Sequence, residues 1–365
     1  MRFKKNTLAL QKKSMDLPIL LTVACLVLFG LVMVYDVSAV HAMKDFSDAN
    51  YYIRLQLIWV VLGVASAFFF SRFDYHFFAK IPLLMFVVSF LLLLSVFIPG
   101  LGISGGGAHR WISLGFVTIQ PAEIVKLTGV IYLAALFEKG ARFIPFAVLC
   151  SLVTLVTAIL QKDLGSSIVF VLTAAAMYFA RGGKIIYFLS TIPVGILSLI
   201  GLIMTSPYRQ KRVLAFLDPF SDTQGFTYHI SQVLIALGSG GLFGVGLGKS
   251  RQKFEYIPEV TTDSIFAVIG EELGFIGGVI LIGLFATLAV RGFKIAERAS
   301  DNFGKNLAVG ITSLLTIQAI VNLSSMVALL PLTGVPLPFI SYGGSALVAN
   351  LTAIGILLNI SRRSS

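Results

Sequence analysis

The sequence predicts an all-α fold: a polytopic membrane protein of about ten transmembrane helices, with a long outer loop between helices 7 and 8. Two observations predict it. The 365 residues are 57% hydrophobic and 12% charged, with a mean hydropathy of +0.91, outside the range of an ordinary soluble domain. Apolar runs of the roughly 20 residues that cross a bilayer as helix recur along nearly the whole chain, so no soluble domain fits between them.

Charged and Gly/Pro breaks divide these runs into spans near 17–36, 56–72, 77–98, 121–138, 143–160, 164–181, 185–205, 264–290, 306–330 and 341–361. An even number of spans puts both ends on one side, and the basic residues choose which side. The tails and the loops on their side carry 17 Lys and Arg against 10 on the other, with Lys126 inside a span. Both termini are therefore expected in the cytoplasm. The chain reads as one membrane domain, 1–365, with a basic tail 1–16, a long extracytoplasmic loop 206–262 and a short tail 361–365. "MRFKKNTLALQKK" before an apolar run resembles a secretory signal, but the run from Leu17 to Val34 exceeds the roughly 7–15 residues of a signal core. It reads as a first span.

Cys25 and Cys150 fall in different spans and read as packing residues, while His41, His76, His109 and His229 lack ligand spacing, which argues against a protein metal cage. "GSGGLFGVGLGKS" (238–250) ends like a phosphate loop, but Phe243 stands where that motif needs glycine and no strand precedes it. Its glycines predict instead a tight re-entrant or surface-lying loop.

Charges at membrane depth cost about 2.5–3.5 kcal/mol or more, so they face a cavity or a partner. In "QPAEIVKL", Glu123 and Lys126 share a helical face, as a neutralised packing pair or as the polar wall of a substrate cavity. In "QKDLGSS", Asp163 suits a helix N-cap and Lys162 a solvated neighbour. In "YIPEVTTDSIFAVIGEELG" (256–274), Asp263 stands where the long loop becomes the eighth span. Glu271 falls roughly 80° from it around a helix and Glu272 opposite, so one glutamate is expected to share a cavity with Asp263. Gly270, Gly274, Gly277 and Gly278 read as small residues that let helices approach.

Arg110 and Trp111 follow a glycine run in "GISGGGAHRWISLG" (102–115), as an interfacial pair or a Gly-rich anion site. "YRQKRVLAFLDPF" adds Arg209, Lys211 and Arg212, and later come Lys249, Arg251 and Lys253. Basic clusters beside Leu and Phe read as an amphipathic segment on anionic lipid, with the chemistry that would also hold a lipid phosphate. Residues alone leave two classes open: a transporter of an anionic amphiphile, or an enzyme acting on a lipid-linked phosphate at the outer face.

"GGGAHRWISLG", "QPAEIVKL", "QKDLGSS", "RVLAFLDPF", "LIALGSGGLFGVGLGKSRQKFEYIPEVTTDSIFAVIGEELG" and "LLPLTGVPLPFISYGGSAL" resemble, in order and over nearly the whole chain, the signatures of the SEDS family (shape, elongation, division and sporulation). "SRQKFEYIPE" and "LFGLVMVY" look more like its division branch, FtsW, than its elongation branch, RodA. The resemblance implies a peptidoglycan glycosyltransferase that polymerises lipid II at the outer face of the cytoplasmic membrane during cell division. It implies that Asp263, which ends the P-E-x-x-T-D motif, is the catalytic residue, and that Arg110, Glu123 and Lys126 match further functional positions. With Arg209, Arg212, Lys253, Glu259 and Thr262 these make the expected substrate-binding set, and Glu271 and Glu272 the expected cavity lining. The chain departs from the pattern at Thr261, where histidine is usual, and at Ser264, where phenylalanine is common.

Lipid II is α-linked and glycan strands are β-1,4-linked, so transfer inverts the anomeric carbon and needs a base rather than a covalent nucleophile. Asp263 is expected to take the proton of the acceptor 4-hydroxyl. Arg110, Lys126, loop cations or a divalent ion, magnesium or manganese, would balance the leaving undecaprenyl pyrophosphate. No nucleotide and no nucleic acid are expected. The implied partners are a class B penicillin-binding protein, a single-span transpeptidase, and other division proteins. A lipid II flippase and a non-catalytic scaffold are the alternatives.

Overall fold

The computed structural model describes residues 15–105, 108–113, 115, 117–204, 207–218, 226–250 and 261–363. α1 (Leu17–Phe46) is opened by Asp16, whose carboxylate accepts the Ile19 N–H at 3.1 Å, the usual job of an N-cap. It closes at Ser47, left-handed at φ 55°, whose N–H reaches the Ala42 and Met43 carbonyls. Thirty residues at 1.5 Å each make about 45 Å, more than the roughly 30 Å of bilayer hydrocarbon. The sequence placed this end near 36; the helix continues because no Gly or Pro interrupts Tyr35–Phe46, and Val37, Ser38 and Ala42 are buried along it.

There follow α2 (Tyr51–Arg72), α3 (His76–Lys80), α4 (Pro82–Leu94) with a 3-10 turn Ser95–Phe97, α5 (Pro121–Leu136), α6 (Phe143–Thr154) with a π turn Leu155–Leu160, α7 (Leu164–Ala180) and α8 (Ile185–Met204). The long loop carries α9 (Pro207–Leu217) and α10 (Phe226–Ser239); α11 (Ile265–Arg298), α12 (Asn302–Met326) and α13 (Gly344–Arg363) complete the chain. By length and composition α1, α2, α6 with its π turn, α11, α12 and α13 are able to cross a membrane, and α4, α7 and α8 are shorter apolar helices. The fold is helical and polytopic, as expected.

Its departure from all-α is a small antiparallel sheet, β1 (Gly102–Gly105), β2 (Ala108–Ser113) and β3 (Thr118–Ile119), in that order. Trp111 pairs with Ile103, and Ile112 with both Gly102 and Ile119. Arg110 and Trp111 thus stand on a strand of a small meander, in which Ile112 is buried.

One end of the bundle is tied by polar contacts. Asp16 pairs with Arg291 at 2.6 Å, and its N–H donates to the Ser361 hydroxyl at 3.2 Å, so the start of α1 meets the ends of α11 and α13. At the corner after α2, Asp74 accepts from the His76 N–H at 3.0 Å and pairs with Arg363 at 2.7 Å. Partial burial acts upward on the Asp74 carboxyl, but the His76 and Arg363 contacts outweigh it and hold the group at about 2. Because this is below the unfolded value of 3.8, the corner is stabilised above that pH and the contribution is lost as pH falls through about 2. Wild type should melt higher than Asp74→Asn at neutral pH, and the two melting temperatures should converge on acidification; thermal unfolding in detergent across pH 2–7 checks this.

α11 is interrupted. Gly274 leaves helical geometry at φ 67°, ψ −166°, a conformation that strains any side chain, and segment 241–246 docks in the gap. The Val245 and Gly246 N–H groups donate to the Glu271 and Glu272 carbonyls, each at 3.0 Å, while the Phe275 and Ile276 N–H groups donate to Gly241 and Leu242 at 2.9 and 3.2 Å. Polar groups freed by the break are thereby paired with protein, as backbone at membrane depth must be. Gly274 breaks the helix, a role beyond the close packing expected of it.

Candidate active site

The site is built on α12, a largely buried helix of the bundle. Asn322, fully buried, donates to the Asp263 and Val335 carbonyls, both at 2.8 Å. One turn earlier, Gln318 accepts from the Lys126 ammonium at 2.7 Å and donates to the Pro336 carbonyl at 3.1 Å. Two amides four residues apart share a helical face, and here they pin two irregular segments, 261–264 and 333–337. Asn322→Leu would leave both carbonyls buried without that donor, at about 1–3 kcal/mol each. A clear drop in melting temperature is expected, measured by thermal unfolding in detergent.

Asp263 is 6% exposed, with the Thr262 hydroxyl 3.3 Å from its Oδ1. Gly334 passes beside it, where a β-carbon would stand 3.8 Å from Oδ2, and its φ of +71° is a conformation that favours glycine. On the other flank the Ser264 hydroxyl meets His229 Nε2 at 2.8 Å and docks α10. Burial, helped by Arg212, holds His229 down at about 4, so it is a neutral bridge at physiological pH. The side chain at the unusual position 264 therefore turns to α10, and Thr261 is engaged through its carbonyl, which accepts the Tyr342 N–H at 2.9 Å.

Asp263 and Thr262 face a cavity of about 690 Å³ shared with Arg110 and Trp111 of β2, Lys162 of the turn before α7, and Arg212 of α9. Among the described residues lining it, Asp263 is the one carboxylate against three cations. Arg110 is braced by the Lys162 carbonyl at 2.6 Å and Arg212 by the Leu332 carbonyl at 2.7 Å. Lys162 is left-handed at φ 57°, next to Asp163, whose carboxylate caps α7 through the Ser166 N–H at 3.1 Å.

Several expected residues lie elsewhere. Glu123 and Lys126 pair at 2.7 Å and are each 2% exposed; with Gln318 as its second partner, Lys126 is engaged beneath the cavity rather than lining it. In this structure the two form a buried ion pair, and neither is among the residues lining the cavity. Arg209 is buried and donates to the Ala158 carbonyl at 2.7 Å, bracing the π turn outside the cavity. Glu271 and Glu272 do not line it either: Glu272 accepts the Gly248 and Ser250 N–H groups, each at 3.0 Å, and Glu271 the Ser250 hydroxyl. One glutamate was expected to share the cavity with Asp263, but rotation about a single helix leaves open what packs beside it, and here the glycine loop folds back onto both side chains. Lys253 and Glu259 lie outside the described residues.

The sequence reading missed Lys162, set aside as a solvated neighbour, and Gln318 and Asn322. The last two carry a signal in the sequence, uncharged amides four residues apart in an apolar span. No group of three or more His, Cys, Asp or Glu suited to a metal occurs among the described residues. One carboxylate makes no cage; a divalent ion at Asp263 would draw most of its ligands from a bound phosphate and water, as magnesium commonly does.

The family model for FtsW, RodA and SpoVE cell cycle proteins matches residues 16–365. The chain belongs to this family. Among its FtsW/RodA/SpoVE relatives, stage V sporulation protein E of Bacillus subtilis (strain 168) is 42% identical over 97% of this chain and 99% of its own. A probable peptidoglycan glycosyltransferase FtsW of Trichlorobacter lovleyi is 41% identical over 95% and 93%. RodA of Thermus thermophilus superposes with a TM-score of 0.68 at 28% identity over 98% of each chain. A chain from a peptidoglycan synthase complex, solved for its coordination of polymerization and crosslinking, superposes with a TM-score of 0.74 at 28% identity, over 95% of this chain and 98% of that one.

Proposed function

We infer that this protein is a peptidoglycan glycosyltransferase of the division and sporulation side of its family, using lipid II as donor and acceptor. The observation that carries the reading is Asp263, the one carboxylate among the described residues lining a cavity that also holds Arg110, Lys162 and Arg212, in a chain whose FtsW relatives are named for that activity. The cavity's 690 Å³ lies within the roughly 300–1,000 Å³ of small-ligand sites, room for reacting sugars and phosphates with the polyprenyl chains left in lipid.

In this mechanism Asp263 is the general base. The acceptor 4-hydroxyl oxygen forms a bond to the donor's anomeric carbon as its proton passes to an Asp263 oxygen. The bond from that carbon to the phosphate oxygen breaks with inversion, and its electron pair leaves on undecaprenyl pyrophosphate. Arg110, Lys162 and Arg212 are positioned to meet that charge. A magnesium or manganese ion at Asp263, when bound, would add positive charge beside the pyrophosphate. The basic-residue bias supports cytoplasmic termini and an extracytoplasmic cavity. The synthase-complex neighbour supports a class B penicillin-binding protein as partner.

A flippase would need a polar path continuing below the cavity; the engaged Glu123, Lys126 and Gln318 there favour the enzyme. Purified protein given lipid II, with and without the transpeptidase, tests the reading. Glycan strands uphold it; head-group translocation without polymer replaces it with a flippase, and neither outcome leaves a scaffold.

A further inference from the structure

The cavity's other wall is aromatic, and nothing in the proton-transfer scheme uses it. Phe46 at the end of α1 stacks on Tyr51 at 3.9 Å and 13°. Tyr52 meets Tyr51 edge-on at 5.4 Å and 84°, and meets Tyr342, from the loop before α13, at 5.2 Å and 82°. All four rings line the cavity. Tyr and Trp near a helix end are usually an interfacial belt facing lipid. Here three elements interlock their rings around the cavity holding Asp263, and Tyr51, Tyr52 and Tyr342 stay only partly buried. A core cluster would be closed; this one is open on its cavity face.

The ligand chemistry follows from the rings. An aromatic face is the negative side of the quadrupole, so it repels phosphate. It suits the C–H face of a pyranose, whose hydroxyl and acetamido groups then reach the phenols at the edge. Burial, with Tyr52 and Tyr51 beside it, pushes the Tyr342 phenol up to about 12, so that hydroxyl keeps its proton at physiological pH. The cations come from β2, the turn before α7 and α9, separate from the elements that carry the rings. Both walls lead to the same carboxylate. Arg212 holds Leu332, two residues before Gly334, and the Tyr342 N–H holds Thr261, two residues before Asp263.

We propose that Tyr51, Tyr52 and Tyr342 form a carbohydrate subsite that takes an uncharged N-acetylhexosamine ring of the acceptor, leaving the pyrophosphate to the wall of Arg110, Lys162 and Arg212. The proposal rests on the glycosyl-transfer reading and specifies how its substrate lies: sugar on the rings, phosphate on the cations, Asp263 where the two walls meet.

The chain supplies its own reporter, because its two tryptophans, Trp59 and Trp111, both line this cavity. Full-length protein in detergent is titrated with a lipid-free, uncharged tetrasaccharide of β-1,4-linked N-acetylglucosamine, and separately with inorganic pyrophosphate, following tryptophan emission. The tetrasaccharide should give a saturable change, weakened at least tenfold in Tyr52→Ala and Tyr342→Ala, largely kept in Tyr52→Phe, and unchanged in Lys162→Gln. Pyrophosphate should show the reverse dependence. Melting temperatures identify any variant that fails to fold, and Tyr52→Leu then replaces Tyr52→Ala. No saturable response to the tetrasaccharide in wild type, or equal affinity in wild type and the folded Tyr52→Ala or Tyr52→Leu protein, overturns the subsite. Equal weakening by Lys162→Gln overturns the division into two walls. Wild-type polymerisation of lipid II is scored apart: polymer without tetrasaccharide binding sinks this inference alone, and tetrasaccharide binding without polymer sinks the enzymatic reading alone.

Discussion

Asp263→Asn is expected to abolish lipid II polymerisation while the protein still inserts and folds. The amide is nearly isosteric but cannot take the acceptor's proton, and a positioned general base contributes about 10²–10⁴ in rate. Turnover should therefore fall at least about 100-fold, with a much smaller change in KM, the mark of an interaction made in the transition state. Folding should survive because the turn is held through its backbone: Asn322 binds the Asp263 carbonyl and Tyr342 the Thr261 carbonyl. Polymerisation gels and a melting curve on the same preparation make the test. Retained turnover would remove the carboxylate from the mechanism, and a collapsed melting temperature would show its role to be structural.

Lys126→Met should act in the opposite way, through stability. Glu123 would be left without its ammonium partner at 2% exposure, and breaking a buried pair from one side costs about 3–5 kcal/mol. The paired change Glu123→Gln with Lys126→Met removes both charges and should recover most of that loss, since apolar or neutral replacement of a whole buried pair is often close to neutral. Thermal unfolding of the two single variants and the double variant measures the coupling. A Lys126→Met protein as stable as wild type but inactive would return Lys126 to the substrate site.

The two predictions divide along a line visible in the residues. Asp263 was legible in advance because a carboxylate at the mouth of an apolar span is costly unless it has a task, and its motif placed it in a family pattern. Glu123 and Lys126 carried the same signal, yet three-residue spacing on one helix is compatible with a pair turned inward or toward a ligand. The neighbour that decides it, Gln318, lies 192 residues away from Lys126. Glu271 and Glu272 were misplaced because rotation about a single helix says nothing of what fills the space beside it. There the glycine loop docks into the break at Gly274 and takes both side chains.

The sequence by itself determined the helical membrane fold, the approximate position of the long apolar helices and the family, and it singled out Asp263, which the structure places on the cavity. Each depends on composition, local periodicity or a contiguous motif, and burial of apolar surface in lipid acts on every span separately. Tertiary structure alone decided which charges share a cavity and which are paired elsewhere in the bundle. It also made Lys162 part of the site and gathered rings from α1, α2 and the loop before α13 into one wall. Those outcomes depend on distances between segments far apart in the chain, where a buried polar group settles on whichever partner packing brings within hydrogen-bond reach.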